Sequence, residues 1–367
     1  RDVLGSRGLG DVYKRQTCFG AYVLNLKKHE IYTVLAKITV MATGGVGNIY
    51  HTTTNPAVAT GDGIAMVHRA KGAVENMQFL QFHPTSLYNP GERPSFLISE
   101  AMRGFGALLR LQNGKEFMHK YHPMGSLAPR DVVARSIDHE MKISGDEFVY
   151  LDITHKDPKE VINHFPNIYQ KCLSVGIDLT KDMIPVVPAA HYCCGGVKVN
   201  LNGESSIRHL YALGETSSTG LHGGNRLASN SLMEAAVYAD VAAQHAISLL
   251  NTIELQRNIP AWDYEGTAIP EEMALITQNY KEMQLIMSNY VGIVRSNLRL
   301  ERAKRRLEII FKETEELYLK STLSQHLCEL RNMIAVGYLI IKQAEAMHES
   351  VGLHYSIDYP AKPVNME

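Results

Sequence analysis

The chain has 367 residues, enough for two or three domains at roughly 150 residues each. Hydrophobic residues make up 45% and charged residues 20%, which is typical of a globular protein with a large core. Lys and Arg number 37 against 38 Asp and Glu, so the formal net charge of -1 argues against a nucleic-acid-binding surface. No apolar run approaches the ~20 residues of a membrane span. The five cysteines are irregularly spaced, which predicts no disulfide framework, no metal site and a cytoplasmic location.

The first 16 residues stand apart from the rest of the chain. The run SRGLGDVYKRQ, at 6–16, resembles a translated sequencing adapter, so we predict that residues 1–16 are not native. Gly5, Gly8 and Gly10 imitate a glycine-rich phosphate loop. A true loop of that kind needs a strand before it and a helix after it, and the pattern predicts neither.

The next segment predicts strands followed by a helix. Two short alternating runs, Ala21–Leu26 and Ile31–Ala36, predict a hairpin. The apolar run Lys37–Ala42 predicts a buried strand that ends in the small residues at 43–45, where the backbone can approach another group closely. Gly61–Ala73 has apolar residues at helical spacing and predicts a helix.

The remaining chain divides into a mixed region and a helical region. Residues 82–190 are rich in loops, with one clear helix at Pro129–Lys142, and predict an inserted domain. Strand patterns return at 196–213, before a helix at 231–249 that opens with a predicted capping box of Ser231 and Glu234.

A linker with Pro260 and Pro270 leads to the helical region. Residues 271–348 contain three long amphipathic segments with short connections. This pattern predicts a helical bundle.

The segment with the strongest chemical signal is 214–232, GETSSTGLHGGNRLASNSL. It lies between a predicted strand and a predicted helix, where glycines allow close approach and backbone N–H groups attract negative charge. Glu215, at the end of the strand, could accept hydrogen bonds from sugar hydroxyls. The alternative is a glycine-rich turn with no ligand.

Each of the other polar residues, taken singly, can be explained by a structural role or by solvent exposure. His83 lies beside a proline and could be a structural histidine with satisfied hydrogen bonds. Arg130 and Arg135 have helical spacing and could form a solvated face. Spacing alone does not join these residues into one site.

Eight stretches together carry a family resemblance. They are ATGGVGNIY (42–50), NPAVATGDGIAM (55–66), QFHPT (81–85), SEAMRG (99–104), LAPRDVVAR (127–135), PAAHYCCGGV (188–197), GETSSTGLHGGNRLASNSL (214–232) and ESVGLHY (349–355). They resemble the flavoprotein family of succinate dehydrogenase, fumarate reductase and L-aspartate oxidase, from about residue 17 to 360. Within it, the ASNSL form at 228–232 and the end of the chain are most similar to the L-aspartate oxidase branch.

The resemblance implies an α/β fold of three parts. These are an incomplete FAD-binding Rossmann-like domain, an inserted α+β capping domain and a C-terminal three-helix bundle. The expected bounds are 17–81 and 191–250 for the two segments of the FAD-binding domain, 82–190 for the capping domain, 268–348 for the helical domain and 349–367 for the tail.

The implied cofactor is non-covalently bound FAD. Asp62 resembles the family residue at the FAD, and Glu215 resembles the carboxylate that holds the ribityl or ribose hydroxyls. Ser231 and Leu232 resemble the backbone amides at the flavin pyrimidine, where a positive helix end favours the reduced, anionic flavin. The full implied cofactor set is Thr43, Gly44, Gly45, Asp62, Gly214, Glu215, Asn230, Ser231 and Leu232.

The implied substrate is a C4 dicarboxylate, which needs several donors for its two carboxylates. His83, His191 and Arg226 resemble the family's carboxylate clamp. Ser99 and Glu100 stand where the family has a Thr-Glu pair, so the hydroxyl is kept. The full implied substrate set is Gln81, His83, Ser99, Glu100, Arg103, His191, Arg226 and Ser229.

Arg130 matches the family's catalytic arginine, the first Arg of PRDVVAR. A guanidinium keeps its proton and is a poor base, so the protonation role of Arg130 stays open. We also hypothesise that Arg103 orients the site through Glu100.

The implied activity is oxidation of L-aspartate to iminoaspartate, the first step of de novo NAD biosynthesis. Oxygen would be reduced to hydrogen peroxide, or fumarate to succinate, and quinolinate synthase would consume the imine. One alternative is a soluble fumarate reductase or succinate dehydrogenase flavoprotein subunit. The other is an inactive fragment unable to bind FAD.

The sequence departs from the family pattern in two places. Val351 stands where relatives often carry Arg, so no site role is assigned to ESVGLHY. The N-terminal glycine fingerprint for the FAD pyrophosphate is missing. We therefore expect this chain to be a C-terminal fragment of a longer enzyme, and to be colourless when expressed alone.

Overall fold

The computed structural model describes residues 16–269 and 273–360. The strands are β1 (Gly20–Asn25), β2 (Glu30–Leu35), β3 (Thr39–Met41), β4 (Val74–Glu75), β5 (Leu80–Leu87), β6 (Leu108–Arg110), β7 (Val149–Asp152), β8 (Ile184–Cys193), β9 (Gly196–Lys198), β10 (Leu210–Ala212) and β11 (Ser217–Ser218). The helices are α1 (Asp62–Arg69), α2 (Glu100–Gly104), α3 (Arg130–Ser144), α4 (Pro158–His164), α5 (Pro166–Ser174), α6 (Asn230–Leu249), α7 (Ala274–Tyr290), α8 (Asn297–Lys320) and α9 (Gln325–Glu345).

Some predictions fall outside the described residues. They concern the adapter-like residues up to position 15, Pro270 in the predicted linker, and the end of the tail from 361 onward. Gln16, the last residue of the adapter-like stretch, is described, and its carbonyl accepts a 2.9 Å hydrogen bond from the Arg208 amide.

The predicted hairpin is confirmed. A strand is also observed within 37–42, but the prediction that it is buried is wrong: Val40 is 51% exposed, because β3 pairs only with β10 in a two-stranded sheet. β1 pairs with β2 antiparallel, and the Asn25 side chain accepts hydrogen bonds from the amides of Lys27 and Lys28 in the turn. A short polar side chain that bonds the backbone two or three residues on is a usual turn device. β3 lies inside the predicted strand at 37–42 and pairs in parallel with β10, far along the chain.

The pair of β5 and β8 connects the two halves of the molecule. These antiparallel strands belong to a four-stranded sheet in the order β5-β8-β7-β6. At one end, Leu80 and Cys193 lie in a core shared with α1 and the C-terminal helices. At the other end, Leu87 and Val186 lie in a second core with α3, α4 and α5. Residues in the middle of the pair therefore lie between the two cores.

The predicted helix at 129–142 is observed as α3, which begins one residue later and ends two residues later. It ends at Gly145, whose φ of 80° is left-handed, as is usual for a glycine that closes a helix. Val133 and Ile137 of α3 are buried in the second core.

The predicted helical region contains α7, α8 and α9, which pack on one another, and α9 also packs on α1. Ser296 and Ser324 cap α8 and α9 by accepting hydrogen bonds from backbone amides one turn into each helix. Their apolar faces form the larger part of the first core. No helix within 16–269 or 273–360 is long and apolar enough to span a membrane.

The predicted capping box at the start of α6 is wrong. The helix begins at Asn230, its N-cap position is Ser229, and no side chain caps it. The Ser231 hydroxyl instead contacts Arg226, and the Glu234 carboxylate is buried against Tyr192 and His222. Contacts outside the helix therefore take both side chains that the local pattern assigned to the cap.

Candidate active site

Pairing of β5 with β8 brings three predicted site residues together. Gln81 lies opposite Tyr192, and an irregularity between Gln81 and Phe82 shifts the register so that Phe82 lies opposite Ala190. Such bulges redirect side chains. The His83 and His191 rings meet edge to face, with centroids 5.6 Å apart.

Both histidines are neutral at pH 7. Burial, followed by the charges of His191, Arg130 and Arg103, lowers the pKa of His83 to about 3. Burial, followed by Arg226 and Arg130, lowers the pKa of His191 to about 4. His83 Nδ1 lies 3.2 Å from the Thr85 carbonyl oxygen, and His191 Nδ1 lies 2.8 Å from Thr54 Oγ1. A neutral imidazole still carries one N–H that can donate to an anion.

Arg226 is a buried cation whose partners are neutral. Nη1 donates to Ser231 Oγ at 3.1 Å, and Nη2 donates to Gln81 Oε1 at 3.0 Å. The guanidinium lies 4.4 Å from the Tyr192 ring centroid, and its Nε is buried with no hydrogen-bond partner among the described residues. Because a buried charge is costly unless it is paired, this arrangement suits an incoming carboxylate.

Gln81 holds the loop that carries Arg226. Its Nε2 donates to the Arg226 carbonyl at 2.9 Å and to Asn225 Oδ1 at 3.1 Å. The same amide thus contacts both the backbone and the guanidinium of Arg226.

A second cationic group lies at the starts of α2 and α3. Arg130 Nε donates to Glu100 Oε2 at 2.5 Å, and Arg103 Nη2 lies 3.3 Å from Glu100 Oε1. Arg103 is buried, and its Nη1 also donates to the Ser126 carbonyl at 2.9 Å. Ser99 caps α2 by accepting from the Ala101 amide. Glu100 therefore links both arginines.

Behind Arg226 lies a buried polar cluster that the sequence analysis missed. The Glu234 carboxylate accepts a hydrogen bond from Thr219 Oγ1 and lies 2.8 Å from His222 Nε2. Tyr192 donates from its hydroxyl to Glu234 at 3.3 Å and lies 3.1 Å from His222 Nε2. The available signal was a His and a Glu twelve residues apart, but the Glu was assigned to a helix cap.

The predicted cofactor residues at 43–45 and 214–215 lie side by side. Thr43 Oγ1 bonds Thr216 Oγ1 at 2.9 Å. A Cβ on Gly45 would lie 2.2 Å from Glu215 Oε1, so a larger residue there would displace the Glu215 carboxylate from its present position. Glu215 Oε1 accepts from the Cys193 amide at 2.9 Å, and burial raises the pKa of Glu215 to about 7.

The start of α6 is placed differently from the predicted assignments. Ser231, assigned to the cofactor, contacts the Arg226 guanidinium, whereas Ser229, assigned to the substrate, is exposed and has a left-handed φ of 68°. Asn230 is also exposed, and Leu232 is 75% exposed. Gly214 has a φ of 66°, which suits its place between β10 and Glu215.

Asp62 lies outside this cluster of side chains. Its Oδ1 accepts from Thr60 Oγ1 at 2.8 Å and from Asn332 Nδ2 of α9 at 2.7 Å. Asn332 in turn accepts from Arg69 Nη2 at 2.6 Å. These contacts link α1 to α9, and a cofactor role for Asp62 stays a prediction. No group of three metal-ligating side chains lies within residues 16–269 and 273–360.

Comparison with known proteins identifies two family matches. Residues 10–232 match the family described as FAD binding domain, and residues 280–363 match the family described as fumarate reductase flavoprotein C-term. An L-aspartate oxidase of Pseudomonas aeruginosa is 50% identical over 359 residues, covering 98% of this chain and 66% of the relative. One of Yersinia pestis is 50% identical over 341 residues, covering 93% and 64%. The chain thus spans slightly less than two thirds of these relatives' lengths.

Solved structures are similar along nearly the whole chain. The Escherichia coli quinol fumarate reductase FrdA has a TM-score of 0.77 at 29% identity, covering 92% of this chain and 63% of that one. Mycobacterium smegmatis Sdh1 has a TM-score of 0.80 at 30% identity, covering 95% and 61%. With one family matching more than half of its residues, the chain belongs to the FAD-binding flavoprotein family that includes the L-aspartate oxidases and the fumarate reductase flavoproteins.

Proposed function

We propose that this chain carries the substrate site of an L-aspartate oxidase. The reaction is FAD-dependent oxidation of L-aspartate to iminoaspartate, with reduction of oxygen to hydrogen peroxide or of fumarate to succinate. The observation that carries the proposal is the buried Arg226 guanidinium, which has neutral partners and lies near the neutral His191, whose ring contacts that of His83. A carboxylate would supply the missing negative charge and accept hydrogen bonds from these groups.

A substrate with two carboxylates fits a site that holds more than one arginine. Arg226, His83 and His191 would hold one carboxylate. Arg130, fixed by Glu100 on the neighbouring helix, would face the remainder of the substrate. Holding both ends orients the carbon between them, which is worth a large share of a reaction barrier.

The residues present fit FAD. Gly44 has a left-handed φ of 73° with open space where a Cβ would lie, so a ligand can approach its backbone closely. Glu215 presents a carboxylate that can accept from sugar hydroxyls, and α6 begins without a side-chain cap, which leaves its positive end open to an acceptor. When bound, FAD would accept the hydride that leaves the substrate.

We also propose the finer architecture predicted from the sequence. Residues 17–81 and 191–250 would form the FAD-binding domain, and 82–190 would cap the substrate. Support comes from the two separate cores and from the β5–β8 pair that crosses between them. The helical domain would extend over 268–348 and the tail over 349–367.

The proposed product constrains the surroundings of the enzyme. An imine conjugated to a carboxylate hydrolyses in water, so a second enzyme must consume it promptly. This agrees with a role at the start of de novo NAD biosynthesis in the cytoplasm, with quinolinate synthase as the consumer.

Calorimetric titration of the purified chain with L-aspartate, succinate and butyrate tests the clamp. We expect both dicarboxylates to bind more tightly than the monocarboxylate, and Arg226→Met to weaken dicarboxylate binding by about ten- to hundredfold. Arg305→Met, which removes an exposed guanidinium paired with Glu301, is the control and should change nothing. Absence of dicarboxylate binding by the unmodified chain would contradict the proposed clamp.

The activity is tested by adding FAD to the chain. Aspartate-dependent peroxide formation would support the oxidase. Succinate-dependent dye reduction would support a fumarate reductase or succinate dehydrogenase flavoprotein, a second candidate favoured by TM-scores of 0.77 and 0.80 to the E. coli and M. smegmatis structures. Dicarboxylate binding without turnover or FAD binding would indicate the inactive fragment.

A further inference from the structure

We propose that Tyr192 is a positioning residue for Arg226, and that His222 and Glu234 fix the Tyr192 ring for this role. The inference rests on the proposed function, because Arg226 matters only if it holds a substrate carboxylate. It concerns the cluster formed by Tyr192, His222, Glu234 and Thr219, called the tyrosine anchor below.

The first observation is the way Arg226 uses its surfaces. Its Nη atoms bond Ser231 and Gln81, and its Cζ lies over the Tyr192 ring, 4.4 Å from the ring centroid. A guanidinium recognises carboxylates along its edge and stacks on rings through its face. A carboxylate partner in direct contact would occupy the edge donors that a substrate needs. The Tyr192 ring offsets part of the charge without using an edge donor, and Nε has no hydrogen-bond partner among the described residues.

The second observation is that the ring is tethered at its far end. The Tyr192 hydroxyl lies between His222 Nε2, at 3.1 Å, and Glu234 Oε2, at 3.3 Å. Tyr192 is 6% exposed and Glu234 is 3% exposed. Buried polar clusters whose members bond one another are rigid. The tyrosine anchor therefore holds the ring by its hydroxyl, and Arg226 lies over the ring itself.

The third observation concerns the charge of Glu234. Its carboxylate accepts from three sides, from Thr219, His222 and Tyr192. A phenol that donates to a carboxylate gains electron density in its ring, which strengthens attraction to a cation over the ring face. Glu234 thus acts on Arg226 through Tyr192, without touching the guanidinium.

The contrast with Arg130 supports this division of roles. Arg130 bonds a carboxylate directly through its Nε and is less buried than Arg226. Arg226, which lies deeper, donates to the neutral side chains of Ser231 and Gln81 instead. In this arrangement no carboxylate within the described part of the chain bonds Arg226 in the place where the substrate carboxylate would bind.

Two variants test the tyrosine anchor. Tyr192→Leu removes the ring, and Tyr192→Phe keeps the ring but cuts its tether. We expect Tyr192→Leu to weaken succinate binding by roughly tenfold, and Tyr192→Phe to weaken succinate binding by about threefold. Tyr211→Phe is the matched control, because Tyr211 is also buried and its hydroxyl lies 2.8 Å from His245 Nδ1.

A second measurement needs no ligand. The Arg226 side-chain N–H protons should resonate upfield of those of a free arginine, because they lie over a ring face, and their signals are assigned by their loss in Arg226→Met. We expect Tyr192→Leu to abolish the upfield shift and Tyr192→Phe to reduce it. If Tyr192→Leu does not fold, the reduced upfield shift expected in Tyr192→Phe tests the positioning role instead.

The outcomes separate the two proposals. Unchanged succinate affinity and unchanged Arg226 signals in the folded Tyr192 variants would overturn the positioning role. If the unmodified chain binds no dicarboxylate, the proposed function fails, and the Arg226 signals alone decide whether the tyrosine anchor positions the guanidinium.

Discussion

Arg130 and Glu100, on different helices, are joined by a 2.5 Å hydrogen bond from Nε to Oε2. The same carboxylate lies 3.3 Å from the guanidinium of Arg103, which is 1% exposed. Glu100 itself is 43% exposed. A partly exposed anion therefore separates two cations, one of which is buried.

Replacing Glu100 with Gln should destabilise the protein. The change removes the charge of Glu100 but keeps the shape of its side chain. The buried Arg103 then lacks its counterion, and the repulsion between the Arg103 and Arg130 guanidinium groups is no longer offset. We expect a loss of about 1–3 kcal/mol in the free energy of unfolding, measured by urea denaturation. Glu308→Gln breaks an exposed pair with Lys312 and should cost less than about 0.5 kcal/mol. Equal losses in both variants would contradict the linking role of Glu100.

Stability should fall as the pH falls below about 6.5, because of the buried histidines. The pKa of His83 is lowered to about 3 and that of His191 to about 4. Between these values and 6.5 the unfolded chain binds protons that the folded protein does not. Each histidine then removes about 1.4 kcal/mol of stability per pH unit. Glu215, whose pKa is raised to about 7, acts in the opposite sense, with stability lost as the pH rises from about 4.5 to 7.

The difference between variants isolates the histidine contribution. Urea unfolding of the unmodified chain and of His83→Gln at pH 7.5, 6 and 5 should give a shallower pH profile for the variant. His119→Gln, at a side chain that is 66% exposed, is the control and should retain the original slope. Parallel profiles for all three proteins would rule out a neutral, buried His83.

Gly352 fixes the glycine-rich loop before Arg226. Its φ is 55°, and an added Cβ would lie 2.4 Å from the Gly224 carbonyl oxygen, which also accepts from the Leu353 amide at 2.9 Å. Gly352→Ala should therefore cost more than about 1 kcal/mol and weaken succinate binding by moving the loop. The control is Gly91→Ala. Gly91 has a φ of 89° but no atom within 4 Å of an added Cβ, so this substitution introduces backbone strain without a steric clash. Succinate affinity should be unaffected by Gly91→Ala.

Asn332 connects α1 to α9. It donates to Asp62 and accepts from the partly buried Arg69, so Asn332→Ala leaves two polar groups without their partner. We expect a loss of about 1–3 kcal/mol in the free energy of unfolding. Gln325→Ala, which removes an exposed bond to Glu329 in the same helix, should remain within about 0.5 kcal/mol of the original chain. An unchanged free energy of unfolding in Asn332→Ala would mean that water replaces the hydrogen bonds of Asn332 to Asp62 and Arg69.

Local patterns predicted the elements more successfully than the contacts between them. The hairpin at 21–36, the strand before Thr43 and the helix α3 depend on periodicity, and each is observed within two residues of its predicted bounds. The capping box of α6 failed because Glu234 finds buried partners outside the helix, which a short sequence window does not contain.

The candidate site could be named from motifs but not assembled from spacing. Gln81 and Arg226 are 145 residues apart and meet only because β5 pairs with β8 and the glycine-rich loop folds over both. The part played by Tyr192 depends on a stacking distance and two hydrogen bonds at its hydroxyl, and neither has a sequence signature.

The pairing of β5 with β8 also has a consequence for the chain during its synthesis on the ribosome. The strand β5 ends at Leu87, and its partner does not begin until Ile184. At roughly 5–20 residues per second, the nascent chain holds β5 without its partner for about 5 to 20 seconds. During that interval the mostly buried side chains of β5 lack the neighbouring strand that packs beside them, so the unpaired strand needs protection from aggregation.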